Sequence, residues 1–196
     1  MSNSPDGQNL QQPQAHATLK NKDDQSQSTN AHRAEAPDSV RVAVLVVSDT
    51  RTLETDKGGL LIEQLLEAAG HEIASRQIVR DDIEAIKAVA SDTISSDAEV
   101  VIFTGGSGIG PRDVTPEAIR PMLTREIPGF GEVFRVLSYE QVGSATMLSR
   151  AFAGIVGRTL VFVLPGSTNA VQLALEKLIV PEIGHLIREV RPERRK

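Results

Sequence analysis

Hydrophobic positions along the chain fall into short continuous runs, separated by stretches in which they recur at helical spacing. Val42 to Val47 reads VAVLVV and Val100 to Phe103 reads VVIF. Runs of this length with no polar interruption predict strands covered on both faces, as in a parallel sheet. Between them, Leu60, Leu61, Leu65 and Ala68 predict a helix over Lys57 to Ala69, stopped by Gly70. His71 to Val79 is a more polar strand candidate, which places it near a sheet edge. Asp82 then reads as an N-cap, with Ile83, Ile86 and Val89 on the helix that follows. After Pro128 a helical pattern runs through Phe134, Val136 and Leu137, and Ser144 to Ser149 adds a further turn. Ala151 to Val156 and Thr159 to Leu164 flank Gly157-Arg158, which predicts a hairpin and so an antiparallel edge on the sheet. A last helix starts near Asn169, with Pro181 placed to break or restart it. The pattern is that of an α/β fold with a mostly parallel sheet and an antiparallel hairpin at one edge.

The stretch with the most chemistry is VVIFTGGSGIGPRDVTPEAI, from Val100 to Ile119. A buried strand ends at Thr104 and opens into Gly105, Gly106, Gly108 and Gly110. Thr115-Pro116-Glu117 then reads as a helix start, with Thr115 as N-cap and Pro116 at the first helical position. Glycines let backbone N–H groups approach a ligand, and such groups beside a helix start favour phosphate. Arg112 and Asp113 add a phosphate partner and a metal ligand. Neither familiar phosphate motif fits. Pro111-Arg112 stands where a P-loop needs Lys-Ser/Thr, and the third glycine of a dinucleotide fingerprint falls on Pro111. The alternative is an unliganded turn, although four glycines in six residues exceed what a turn needs. Asp81, left over once Asp82 caps its helix, lies at the same sheet end as Asp113 if their strands are parallel. Two carboxylates beside a phosphate loop suit Mg²⁺.

Composition narrows the rest. The chain has 196 residues, enough for one domain plus an appendage. Met1 to Ser39 is rich in Gln, Asn, Ser, Asp and Ala, with only Leu10 and Leu19 as large apolar residues after Met1, and is expected to be a disordered extension. The folded domain is expected from Val40 onward, with Arg194-Arg195-Lys196 a solvated tail. The absence of cysteine removes disulfides, thiolate metal sites and cysteine nucleophiles. A net charge of −5 and 3% aromatic residues argue against a nucleic-acid partner. No apolar segment suggests a membrane span or signal peptide, so the expectation is a cytoplasmic protein.

Four blocks carry a family resemblance: TGGSGIGPRDVTPEAI, PGFGEVFR, SATMLSRAFAGI and LPGSTNAV. Together they resemble the molybdenum cofactor biosynthesis proteins of the MoaB/MogA type, over about Val40 to Arg191. The resemblance implies a three-layer α/β/α sandwich, usually trimeric and in some cases hexameric. It implies a molybdopterin adenylyltransferase that takes ATP, molybdopterin and Mg²⁺ and releases pyrophosphate, with a molybdenum-insertion protein as a partner. Carried over by position, the two essential, metal-holding aspartates are Asp81 and Asp113. The molybdopterin loop is Thr104, Gly105, Gly106, Ser107 and Gly108, with Arg112 beside it. Ser149, Arg150, Pro165, Gly166 and Ser167 match further site-forming segments, and Ser48 the first-strand Ser-Asp motif. GEVFR, VGSATMLSR and LPGSTNA are closer to the MoaB branch, some members of which lack the first aspartate. This chain has both, which favours an active enzyme over a binding homologue or an oligomeric scaffold. Phe130 and Phe134, in a polar-flanked segment, are the residues that would supply an oligomer contact.

Overall fold

The computed structural model describes residues 35–194. Its strands are Arg41–Val47 (β1), Glu72–Val79 (β2), Val100–Thr104 (β3), Arg125–Glu126 (β4), Phe152–Val156 (β5) and Thr159–Leu164 (β6). They form one sheet in the order β2-β1-β3-β6-β5-β4. β2, β1, β3 and β6 are mutually parallel, while β5 and β4 run antiparallel. The more polar β2 is an edge strand, and the hairpin turns on Gly157 at φ 60°, as its Gly-Arg sequence requires. The opposite edge is β4, whose two residues are too short to leave a periodic signal.

Alternation along the strands divides the core in two. Val42, Val44, Val46, Ile102, Phe162 and Leu164 face one side, while Ala43, Leu45, Val47, Val101, Phe103 and Val163 face the other. The first face is covered by Lys57–Ala68 (α1), Pro128–Val142 (α4), Thr168–Ala174 (α5) and Val180–Val190 (α6), through Ile62, Leu66, Phe134, Val171, Ile183 and Ile187. The second is covered by Ile83–Ile94 (α2) and Thr115–Ile119 (α3), through Ile86, Ala90, Ala118 and Ile119. The three α/β/α layers follow from strands that are apolar on both faces.

Several local expectations need correction. α1 buries Gly58, Gly59, Ile62 and Leu66, with Leu61 and Leu65 on the flank and Leu60 and Ala68 exposed. Two glycines on that stripe let the helix approach β1, since a Cβ on Gly59 would stand 2.7 Å from Val46 Cγ2. Thr115 is the first residue of α3 and not its cap. Its hydroxyl donates to the Gly105 carbonyl at 2.9 Å. Phe134 is fully buried and so is not available to another subunit, while Phe130 is half-buried with its ring edge-on against Phe162. α5 and α6 are joined by a π-helical turn, Leu175–Ile179, immediately before Pro181, which absorbs the missing proline N–H without ending the helix. Arg194 is tied to Glu99 (2.7 Å) and to the Ser39 carbonyl (2.8 Å), and so does not belong to a free tail.

Most of the expected N-terminal extension lies outside the described residues. Glu35–Ser39 is described, and it runs along α6. Glu35 accepts from the buried Arg188 (3.1 Å), and the Pro37 carbonyl stands close to Gly184.

Candidate active site

Because β1, β2, β3 and β6 are parallel and adjacent, the loops after them gather at one end of the sheet. These loops are Ser48–Arg51, Arg80-Asp81-Asp82, the glycine segment after Thr104, and Pro165–Ser167. The glycine segment starts with two residues in the left-handed region, Gly105 (φ 100°) and Gly106 (φ 59°). At Gly106 any side chain would also collide, with Thr115 Oγ1 2.4 Å and Asp81 Oδ1 2.9 Å from the added Cβ. Glycine here is what lets the Asp81 carboxylate close on the loop.

Hydroxyls that the sequence marks as site residues hold this loop in place. Thr104 Oγ1 donates to the Pro165 carbonyl at 3.1 Å, and the buried Ser107 Oγ to the Leu164 carbonyl at 3.2 Å. Ser48 Oγ accepts the N–H groups of Thr50 (3.3 Å) and Arg51 (3.2 Å), which turns the chain at the end of β1. Ser167 Oγ caps α5 through the Ala170 N–H at 3.3 Å. The Arg150 fork grips the glycine segment from behind. Its Nε donates to the Gly108 carbonyl and its Nη2 to the Asp113 carbonyl, both at 2.6 Å, while Nη1 pairs with Glu117. That hydrogen bond is the main reason the Glu117 carboxyl is held below its ordinary range.

Two cavities open on either side of Gly106 and Asp113, and both residues line both of them. The larger, about 780 Å³, is walled by the Thr104–Gly108 loop, Arg51, Pro165–Ala170 and the end of α4 with the 3₁₀ segment Gly143–Leu148, including Ser149. The smaller, about 490 Å³, holds Asp49, Asp81, Arg112 and Asp113. Arg112 leans on Asp49 (3.3 Å) over the smaller cavity and does not line the larger one. Arg150 lines neither.

The carboxylates of the smaller cavity are unequally satisfied. Asp113 Oδ2 accepts the Gly110 N–H at 2.8 Å, and Asp49 is paired with Arg112 and accepts the Asp81 N–H at 3.2 Å. Burial first, then the neighbouring Asp49 carboxylate, push the Asp81 carboxyl above its ordinary range, and Asp113 adds to the push. A carboxylate crowded by two others favours a bound cation. Among the described residues no cluster of three or more His, Asp or Glu is arranged to hold a metal by itself. A Mg²⁺ ion at Asp81 and Asp113 would thus draw its other oxygens from ligand and water, as this ion ordinarily does. The residues fit the ion on those terms.

The sequence places Asp49 and Arg51 in a loop at the ligand-facing end of the sheet without giving either a role, and it misses Asp56, which stands behind Arg51. Ser48-Asp49-Thr50-Arg51 is visible as a polar loop at a strand end, but the long-range partners that give Asp49 and Arg51 their places are not.

Known proteins agree with this architecture. The family model described as "Probable molybdopterin binding domain" matches residues 43–185. Molybdenum cofactor biosynthesis protein B of Bacillus subtilis is 50% identical over 169 residues, covering 85% of this chain and 99% of that protein. A crystal structure of a molybdenum cofactor biosynthesis protein B superposes with a TM-score of 0.78 at 50% identity, covering 80% of this chain and 99% of that one. The tungsten cofactor synthesizing protein MoaB from Pyrococcus furiosus superposes at 0.72 with 42% identity, over 80% and 99% of the two chains. With four gathered loops, a glycine cradle closed by Asp81 and this degree of likeness, the chain belongs to the MoaB/MogA family of molybdenum cofactor biosynthesis proteins.

Proposed function

We propose that the protein adenylylates molybdopterin, using ATP and Mg²⁺ and releasing pyrophosphate. The observation that carries this reading is the pair of cavities sharing Gly106 and Asp113, one roomy and nearly uncharged, the other lined by carboxylates and Arg112. Two ligands seated there would meet at the glycine loop. The pterin occupies the larger cavity, with its phosphate toward the loop, and the ATP phosphates occupy the smaller.

The reaction needs alignment and charge neutralisation more than proton transfer. A terminal phosphate monoester has its second pKa at about 6, so the nucleophile is largely ionised at neutral pH. Its oxygen attacks the α-phosphorus of ATP, the bond from that phosphorus to the bridging oxygen breaks, and pyrophosphate leaves with the electron pair. No general base is required. Asp81 and Asp113 would hold Mg²⁺, which when bound neutralises charge on the nucleotide phosphates. The loop amides orient the pterin phosphate, and Arg112 adds positive charge beside the nucleotide.

The test is incubation of the chain with molybdopterin, ATP and Mg²⁺, with mass spectrometry for the adenylylated product and a pyrophosphate assay. Binding of both ligands without pyrophosphate would convert the reading into that of a binding homologue.

The reading also includes a symmetric homo-oligomer in the cytoplasm, most simply a trimer, that passes its product to a molybdenum-insertion protein. Support for assembly comes from a surface other than Phe130 and Phe134. Val133, Val136, Tyr139 and Val142 expose apolar surface along α4, continued by Met147 and Leu148.

A further inference from the structure

Among the described residues that line the larger cavity, Arg51 is the one cationic side chain. Arg112 is engaged with Asp49 over the smaller cavity, and Arg150 is spent on the back of the glycine loop. A phosphate entering the larger cavity therefore has a single guanidinium to meet. Arg51 is 38% exposed. Its Nη1 donates to Asp56 Oδ1 and its Nη2 to the Gly166 carbonyl, both at a long 3.4 Å. A phosphate oxygen accepts from arginine at about 2.7–2.9 Å and often bidentately, so a ligand would be a better partner than either present one.

The carboxylate behind Arg51 is built in. Asp56 has a fully buried side chain, accepts the Gly59 N–H on both oxygens at 3.1 Å, and receives Arg76 on Oδ2 at 3.2 Å. Arg76 is held in turn by Glu63 at 2.8 Å. A Cβ on Gly59 would stand 2.2 Å from Asp56 Oδ2, so glycine there keeps the carboxylate in its seat. The arrangement fixes where Arg51 begins while leaving its outer donors lightly used.

We propose that Arg51 is a phosphate-contacting, specificity-determining residue of the larger cavity, and that Asp56 is the positioning residue that holds it there. The inference rests on the reading that this cavity takes the phosphate of molybdopterin.

The experiment is molybdopterin titration of the full chain and its variants at low and moderate salt, with the KM for each substrate and the melting temperature measured alongside. Arg51→Gln is expected to weaken molybdopterin roughly tenfold or more, to raise its KM without moving that of ATP, and to flatten the salt dependence. Arg51→Lys should recover part of the affinity, since it restores the charge and not the fork. Arg158→Gln, at the hairpin turn and lining neither cavity, should leave molybdopterin affinity unchanged. Asp56→Asn, which keeps the helix cap, should weaken molybdopterin in the wild-type background and have no further effect on affinity in the Arg51→Gln background. A purely structural role would lower the melting temperature in both backgrounds without that coupling. Wild-type affinity in Arg51→Gln overturns the inference alone. Failure of the wild-type chain to bind molybdopterin overturns the reading of the cavity, and the inference with it.

Discussion

Replacing Arg150 by glutamine separates the scaffold of the site from its chemistry. The Arg150 guanidinium bridges two carbonyls five residues apart, those of Gly108 and Asp113, each at 2.6 Å. Those anchors bracket Gly110 and Arg112 and include Asp113 itself, the segment that lines the smaller cavity. A hydrogen bond from a charged donor contributes about 1.5–3 kcal/mol when sheltered. Arg150 is 31% exposed and Glu117 is 48% exposed, so the ion pair adds little and both loop bonds must be discounted for solvent. A combined loss of about 2 kcal/mol follows, which in a domain of this size lowers the melting temperature by roughly 4–8 °C. The effect on rate should be larger than this stability loss suggests. Asp113 would be carried on a segment released at both anchors, and a displacement of about 1 Å at a reacting centre can cost on the order of a hundredfold. The assay is single-turnover adenylylation beside thermal unfolding, for Arg150→Gln and Arg150→Lys. Lysine restores the charge but not the planar fork that bridges the two carbonyls, so it should restore part of the stability and little of the rate. A glutamine variant that melts with the wild type would show that the bridge contributes nothing. One that melts early yet turns over normally would show that Asp113 is placed by other means.

Asp113→Asn and Asp81→Asn should each fold normally and keep molybdopterin affinity while losing on the order of a hundredfold in rate. A double variant that loses the full product of both effects would contradict a single shared ion. Phe134→Ala should cost about 3–5 kcal/mol without changing the oligomeric state, whereas Val136→Asp should dissociate the assembly at little cost to the fold. Light scattering and melting curves decide, and an intact oligomer in Val136→Asp would remove the α4 face from the interface. Burial holds the His71 imidazole below its ordinary pKa, so the folded chain binds fewer protons there than the unfolded one. Stability should accordingly fall as the pH drops through the ordinary histidine value of about 6.5 toward the depressed one. His71→Gln should remove that slope, as followed by urea unfolding across the window, and an unchanged slope would assign it to another group.

Much of this molecule is legible in its sequence. The runs at β1, β3 and β6 declare strands because a strand covered on both faces has no polar positions to break the pattern. Asp82 declares a helix start because the cap is made within three residues, and Gly157-Arg158 declares a hairpin because the turn is set by two. Where the relevant partner is distant, local pattern is silent or misleading. Leucine spacing on α1 points one residue away from the buried stripe, which contact with β1 selects through Gly58 and Gly59. Phe134 looks like a surface contact until α4 is laid against β5. Thr115 looks like a cap, but the Gly105 carbonyl, ten residues back, claims its hydroxyl. Strand order has the widest consequences. Placing β3 between β1 and β6 brings Arg51 to Gly166 across 115 residues and Arg112 to Asp49 across 63. It thereby assigns one arginine to each cavity. Side-chain periodicity records which face of an element is buried, but the sheet alone sets which strand ends become neighbours, and with them the charges that meet at the site.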